Sequence, residues 1–222
     1  LAELGPEDGT LYTEVEITNI SKSAGMIIEA FELRCYTKDK EVYELKTVFG
    51  FFPQVALDNQ VGLSTSKEQR GALTQSSIEP IVFQDGDAYT CGSAALPKTM
   101  LRMIDRITGW DKTGGTAGLG FARAEKDVDP SEWFFKAHFF QDPVQPGSLG
   151  IEAMIQLVQW IMLENGTHRD MKKPRFECLA TEMPMTWQYR GQVLPENKVI
   201  GTTVDVLDFI QEDKACVLVV NA

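Results

Sequence analysis

Three runs of alternating apolar and polar positions open the chain. In LYTEVEITNI, Leu11, Val15 and Ile17 alternate with Tyr12, Glu14 and Glu16. In IIEAFELRCY, Ile27, Phe31, Leu33 and Cys35 share one face, and in VYELKTVFGFF so do Tyr43, Leu45, Phe49 and Phe51. Period-two alternation, broken by the turns SKSAG and TKDKE, predicts an antiparallel meander over 11–53 with one wet face. From Pro53 to Ala95 the pattern dissolves into polar sequence rich in Gly and Ser, which predicts a surface linker over 54–95.

A second unit is expected from Leu96. LPKTMLRMIDRITGW reads as a helical turn entering a strand, and GTAGLGFARAEKDV as a second strand. Asp129 followed by Pro130 predicts a helix start, with Asp as N-cap and Pro at the first position, and a short helix carrying Ser131 to Phe135 up to His138. Residues 149–164 predict the longest helix of the chain, stopped by Gly166. That helix is apolar nearly all round, as a buried one is, except for a stripe of Glu152, Gln156 and Gln159 that all look the same way. Strands are expected to resume at 176–190, 197–209 and 215–221, with a tight turn at QEDK. A buried helix wrapped by an antiparallel sheet is an α+β arrangement.

The chain also repeats itself in pattern. VEITNISKSAGMIIEAF from Val15 aligns with VDVLDFIQEDKACVLVV from Val204, matching Val15, Ile17, Ile20, Met26, Ile28 and Ala30 with Val204, Val206, Phe209, Ala215, Val217 and Val219. On that alignment residues 1–53 are the back half of a unit whose front half and helix lie upstream. The second unit, 96–222, is expected to stop one strand short, because nothing follows that matches EVYELKTVFGFF. The opening LAELGPEDGT, without Met, agrees with a fragment of something longer.

Composition narrows the function classes. At 222 residues, with 43% hydrophobic residues, the chain can bury a core. A formal net charge of -11 argues against nucleic acid or an anionic membrane as partner, since either needs a basic surface. The four cysteines, Cys35, Cys91, Cys178 and Cys216, show no CxxC spacing and are read as reduced thiols, with neither a zinc site nor a disulfide framework. No apolar run of eighteen residues and no signal-like start occur in the sequence, so a cytoplasmic protein is expected.

The candidate chemistry lies in WFFKAHFFQDPVQPGSLGIEAMIQLVQW, residues 133–160. His138 among Phe134, Phe135, Phe139 and Phe140 reads two ways: a core histidine satisfied by a backbone carbonyl, or a base. Glu152 favours the second, since a carboxylate buried in an apolar helix is costly unless paired or used, and burial raises its pKa toward that of a general acid. Its bland alternative is a hydrogen bond with Gln156. Gly147, Ser148 and Leu149 place backbone N–H groups and the positive end of a long helix beside the loop that follows His138, where they can hold a carbonyl oxygen gaining negative charge. Ser148 itself is read as the N-cap. A base, an acid and such amides suit elimination of water from a 3-hydroxyacyl thioester.

These residues carry a resemblance. LPKTMLRMIDRITGW, the 133–160 segment and YRGQVLP resemble the β-hydroxydecanoyl-ACP dehydratase family of hot-dog proteins, above all the dehydratase domains of polyunsaturated fatty acid synthases, over 96–222. The resemblance implies a hot-dog fold, His138 as base, Glu152 as the acid that works with the departing hydroxyl, Gly147 as amide donor to the thioester carbonyl, and Gln156 as the residue that orients the acid. Isomerising members carry Asp at the position of Glu152, whereas non-isomerising relatives use Glu. Ala137 and Ser148 stand where the isomerising members typically carry Cys. The family pairs two hot dogs, with histidine and acid from opposite units, which implies a double hot dog in cis or a homodimer.

The implied substrate rides on the phosphopantetheine of an acyl carrier protein, with no metal and no redox cofactor. Arg169, Lys172, Lys173 and Arg175 in HRDMKKPR are the candidate docking patch for that acidic partner, or else a solvated loop; His168 beside them is read as surface. Two further readings share the fold: an acyl-thioester hydrolase whose carboxylate activates water, and a non-catalytic hot dog that binds acyl chains or props up a neighbour.

Overall fold

The computed structural model describes residues 4–59, 62–74, 76–84, 90–91, 93–177, 183, 185–189, 191–212 and 215–222. They fall into two compact units, Leu1–Val61 and Gly62–Ala222.

In the first unit β1 (Tyr12–Ser23), β2 (Met26–Tyr36) and β3 (Glu41–Phe51) form the expected antiparallel meander, followed by a short α1 (Gln54–Asp58). The ladder puts Val15 opposite Leu33 and Leu33 opposite Leu45, and sets Cys35 against Tyr43. The alternating apolar residues therefore gather on one face, where Phe31 and Phe49 meet edge to face at 5.6 Å. The other face is wet and holds the ion pairs Arg34–Glu14 and Lys46–Glu32.

The second unit begins within the stretch expected to be a linker. Instead of crossing the surface unstructured, 62–95 carries α2 (Lys67–Thr74), β4 (Ile81–Val82) and the small hairpin of β5 (Thr90–Cys91) with β6 (Ala94–Ala95). Two contacts override the polar composition. β4 ladders onto β7 (Arg106–Asp111), and the buried guanidinium of Arg123 donates from Nε to the Leu73 carbonyl at the end of α2, 2.9 Å away. Neither contact leaves a periodic trace in the sequence.

β7 pairs with β8 (Phe121–Asp127), and the chain then enters α3 (Trp133–Ala137) and α4 (Gly147–Asn165). β9 (Val199–Gln211) and β10 (Cys216–Asn221) complete a five-stranded sheet in the order β10-β9-β8-β7-β4. Leu149, Ala153, Leu157, Trp160 and Ile161 of α4 pack on Ile107, Ala122, Ala124, Val204 and Val206 of the sheet, and this is the core. Gly166, at φ 71 and ψ 26, ends α4 in the left-handed region as a stop glycine does. Among the described residues no helix is long and apolar enough to cross a membrane.

Several expected elements shift. Asp129 does not cap α3: its carboxylate takes the Ser131 N–H at 2.8 Å in a local turn, and Glu132 occupies the capping position. Ser148 does not cap α4, because the helix starts at Gly147 with Pro146 before it, which leaves Ser148 exposed in the first turn. The described part of 176–190 forms no strand; its alternating Met183, Met185, Trp187 and Tyr189 stay about half exposed. The rest of that strand, Cys178, and Asp213 and Lys214 of the QEDK turn lie outside the described residues, whereas Cys35 and Cys216 are free thiols as expected.

The repeat has a structural counterpart within each unit. In the first hairpin Ile20 faces Glu29, Lys22 faces Ile27 and Ile17 faces Phe31. In the second the aligned residues pair identically: Phe209 with Leu218, Gln211 with Cys216, Val206 with Val220. Both ladders slip at one residue, Thr18 in the first and its aligned counterpart Leu207 in the second. A shared bulge is a specific feature of a strand pair, far less degenerate than an alternating pattern.

Candidate active site

α3 is anchored by Phe134 and Phe135, both buried, and delivers His138 at its C-terminal end, where the His138 N–H bonds the Phe134 carbonyl at 3.0 Å. The imidazole is half-buried and stacks on Phe139, with ring centroids 4.0 Å apart. Its Nδ1 lies 2.9 Å from the Val144 carbonyl oxygen. A carbonyl can only accept, so Nδ1 carries the hydrogen and, in the neutral imidazole, the lone pair lies on Nε2. This backbone-carbonyl contact fits both readings of His138, a satisfied structural histidine and a base of fixed tautomer.

The loop between His138 and α4 is built to return that carbonyl. Gln141 adopts φ 57, the left-handed region that non-glycine residues rarely enter, and the Val144 N–H bonds the Asp142 carbonyl at 2.9 Å in a further tight turn. Gln145 then ties its N–H to the Val193 carbonyl at 3.0 Å, which fixes where α4 begins.

The Gly147 and Ser148 amides precede the bond from the Leu149 N–H to the Pro146 carbonyl, 3.0 Å, so the helix supplies them no carbonyl partner. A Cβ on Gly147 would lie 3.4 Å from Tyr189 Cγ and 3.5 Å from Trp187 Cη2, so two aromatic rings rest on the Cα of this glycine.

One turn further on, Glu152 is half-buried rather than sealed in the helix core as expected. Its Oε1 accepts from Gln156 Nε2 at 2.8 Å. Gln156 is fully buried; Nε2 also donates to the Leu101 carbonyl at 2.7 Å, while its Oε1 accepts the Met103 N–H at 2.8 Å. The carboxylate is thereby tied through one amide to the segment that leads into β7. No hydrogen bond joins His138 to Glu152 among the described residues; each is held by its own partner.

Residues 96–222 match the FabA-like domain, more than half of the chain. The chain belongs to the FabA-like family. The antiparallel sheet against α4 is accordingly the hot-dog fold of a FabA-like dehydratase domain. The chain is also 28% identical, over 225 aligned positions that cover 89% of it, to one of the subunits of a polyunsaturated fatty acid synthase from Thraustochytrium sp.. It spans 14% of that protein's length.

Within this FabA-like domain the remaining candidates fare unequally. Arg169, Lys172, Lys173 and Arg175 are exposed, but Arg175 is engaged by Glu177 at 2.7 Å. His168, expected at the surface, is half-buried with a buried Nδ1 that has no hydrogen-bond partner among the described residues. Sequence reasoning missed Val144, Trp187 and Tyr189. The carbonyl of Val144 bears no side-chain signature, and the two aromatics carry the alternation of a strand that does not form.

Proposed function

We propose that the FabA-like domain dehydrates 3-hydroxyacyl thioesters, carried on the phosphopantetheine of an acyl carrier protein, to 2-enoyl thioesters in the synthesis of polyunsaturated fatty acids. The observation that carries this reading is the bond between His138 Nδ1 and the Val144 carbonyl, which in the neutral ring makes Nε2 the proton acceptor. His138 Nε2 takes the C2 proton. The electron pair moves onto the thioester oxygen, where the Gly147 amide at the start of α4 stabilises the charge. As the pair returns, C2=C3 forms and the C3–O bond breaks, and Glu152 gives its proton so that the hydroxyl leaves as water. The His138 proton and the Glu152 charge are then reset by exchange with solvent. Elimination of water changes no net oxidation level, so no redox cofactor enters the reading.

Gln156 orients the acid, and Arg169, Lys172 and Lys173 offer charges for an acidic carrier protein. The β1–β3 meander is read as half of a second hot dog, in cis, because its hairpin shares pairing and bulge with β9–β10. The facing acid or histidine then comes from a paired hot dog, in cis or in a homodimer.

The test follows enoyl formation from a 3-hydroxyacyl thioester. His138→Ala and Glu152→Gln should each lower turnover by about 10²- to 10⁴-fold, the range for losing a positioned acid or base. Full activity in either variant removes the role assigned to that residue. Release of free thiol without enoyl product would instead favour a hydrolase.

A further inference from the structure

We propose that Trp187 and Tyr189 are positioning residues for the Gly147 amide: their rings close the Cα side of the helix start, so that the N–H meets the substrate carbonyl in a water-poor setting. This rests on the dehydratase reading, in which Gly147 receives the thioester oxygen.

Four observations meet at this spot. The rings lie at van der Waals distance from the place a Gly147 Cβ would take, 3.4 Å for Tyr189 and 3.5 Å for Trp187, so no water fits between them and the Gly147 Cα. The two rings also pack on each other, 6.2 Å apart and tilted by 50°. Burial raises the Tyr189 phenol above its ordinary pKa, opposed by a hydrogen bond from the Val193 backbone. Val193 in turn accepts the Gln145 N–H at 3.0 Å, two residues before Gly147. Tyr189 and the helix start are therefore held by the same residue, Val193, and Trp187 packs on Tyr189.

Both rings nonetheless remain about half exposed, 49% for Trp187 and 46% for Tyr189. Aromatic side chains that served only the core would bury more of their area; these cover the Gly147 Cα and stay partly exposed beside the helix start. A preorganised donor is strengthened when water is kept from it, because the interaction then runs at lower effective dielectric and water no longer competes for the N–H. The benefit falls on the charge that develops during reaction, hence on kcat rather than KM.

The experiment uses the whole chain with Trp187→Ala, Tyr189→Ala, the double variant, and Tyr189→Phe. The double variant should lose about 10-fold in kcat with KM within about twofold, less than the 10²- to 10³-fold that loss of an oxyanion donor costs. Tyr189→Phe, which keeps both the Tyr189 ring atoms and the Trp187 Cη2 that lie against Gly147, should retain kcat. Hydrogen exchange at the Gly147 amide, read by NMR on glycine-labelled protein, should accelerate in the double variant and stay slow in Tyr189→Phe. Unchanged exchange, or unchanged kcat where the unaltered chain turns over and His138→Ala does not, overturns the proposal. Exchange as fast in Tyr189→Phe as in the double variant also overturns it, since the rings would then not be the shield. If the unaltered chain shows no dehydration at all, the dehydratase reading fails, and the exchange measurement still decides the positioning role.

Discussion

Gln156 donates from Nε2 to Glu152 Oε1 at 2.8 Å, and it does so from a fully buried position while bonded to both a carbonyl and an amide of the segment before β7. An amide side chain offers two donors and an acceptor, so this one residue meets three partners that no apolar residue of the same size could meet. Gln156→Leu should therefore destabilise the second unit by about 2–4 kcal/mol, mainly through the Met103 N–H left unpaired in the core. Urea unfolding measures that. Turnover should fall by about 10- to 100-fold, less than the loss of the general acid itself. An unchanged urea midpoint would show that water replaces the amide, and Gln156 would then not hold the acid.

How much of this was legible depended on where the information sat. The stripe Glu152, Gln156 and Gln159 could be read because helical periodicity puts such residues on one face. The other two partners of Gln156, the Leu101 carbonyl and the Met103 N–H, lie over fifty residues away and are backbone groups, which every residue has. The same holds for Val144 and His138. The β1–β3 meander was legible strand by strand, since period-two alternation is local. The failure at 54–95 was of another kind: β4 and α2 are held by one ladder contact and by Arg123, contacts made by strands further along the chain. Trp187 and Tyr189 had the right alternation for a strand but face the start of α4 rather than a ladder partner.

The acidic limb of stability should be set in part by a charge network on the sheet. Arg106 donates to Asp127 at 2.7 and 2.8 Å and to Glu125 at 2.8 Å, and Arg123 donates to Glu125 at 2.6 Å. The hydrogen bond from Arg106 holds the Asp127 carboxyl below its ordinary range. For Glu125 burial pushes upward, but the bonds from Arg123 and Arg106 outweigh it and the carboxyl ends low. Both folded pKa values are depressed, so the stabilisation is present above the unfolded values of about 4 and is lost as pH falls through the folded ones. Arg106→Met should flatten the fall in unfolding temperature between about pH 5 and pH 3. An equally steep fall in the variant would place the acid sensitivity elsewhere.

Carrier-protein docking has its own signature. Arg169, Lys172 and Lys173 are exposed, and Arg175 is committed to Glu177. Charge reversal at the first three should raise KM for a carrier-bound substrate by about 10-fold or more and weaken its salt dependence, while a free pantetheine thioester is turned over as before. Equal effects on both substrates would indicate damage to the site. No effect on either would make the segment a solvated loop.

The shared register of the two hairpins predicts unequal responses at aligned residues. Val204 is fully buried beneath α4, whereas its counterpart Val15, in a hairpin with the same pairing and the same bulge, is 57% exposed. Val204→Asp places an unpaired charge in a packed core and should unfold the second unit or cost it about 4 kcal/mol or more. Val15→Asp meets water and should change stability by no more than about 0.5 kcal/mol in this chain, while lowering the tendency of the apolar face to self-associate. In a longer protein that supplies a helix to cover the meander, Val15→Asp should become as damaging as Val204→Asp, because the two residues would then occupy equivalent places. Thermal unfolding of both variants, in the short and the long chain, measures the difference. If Val15→Asp stays harmless in the long chain, the meander is not half of a hot dog, and the common register reflects only two hairpins of similar make.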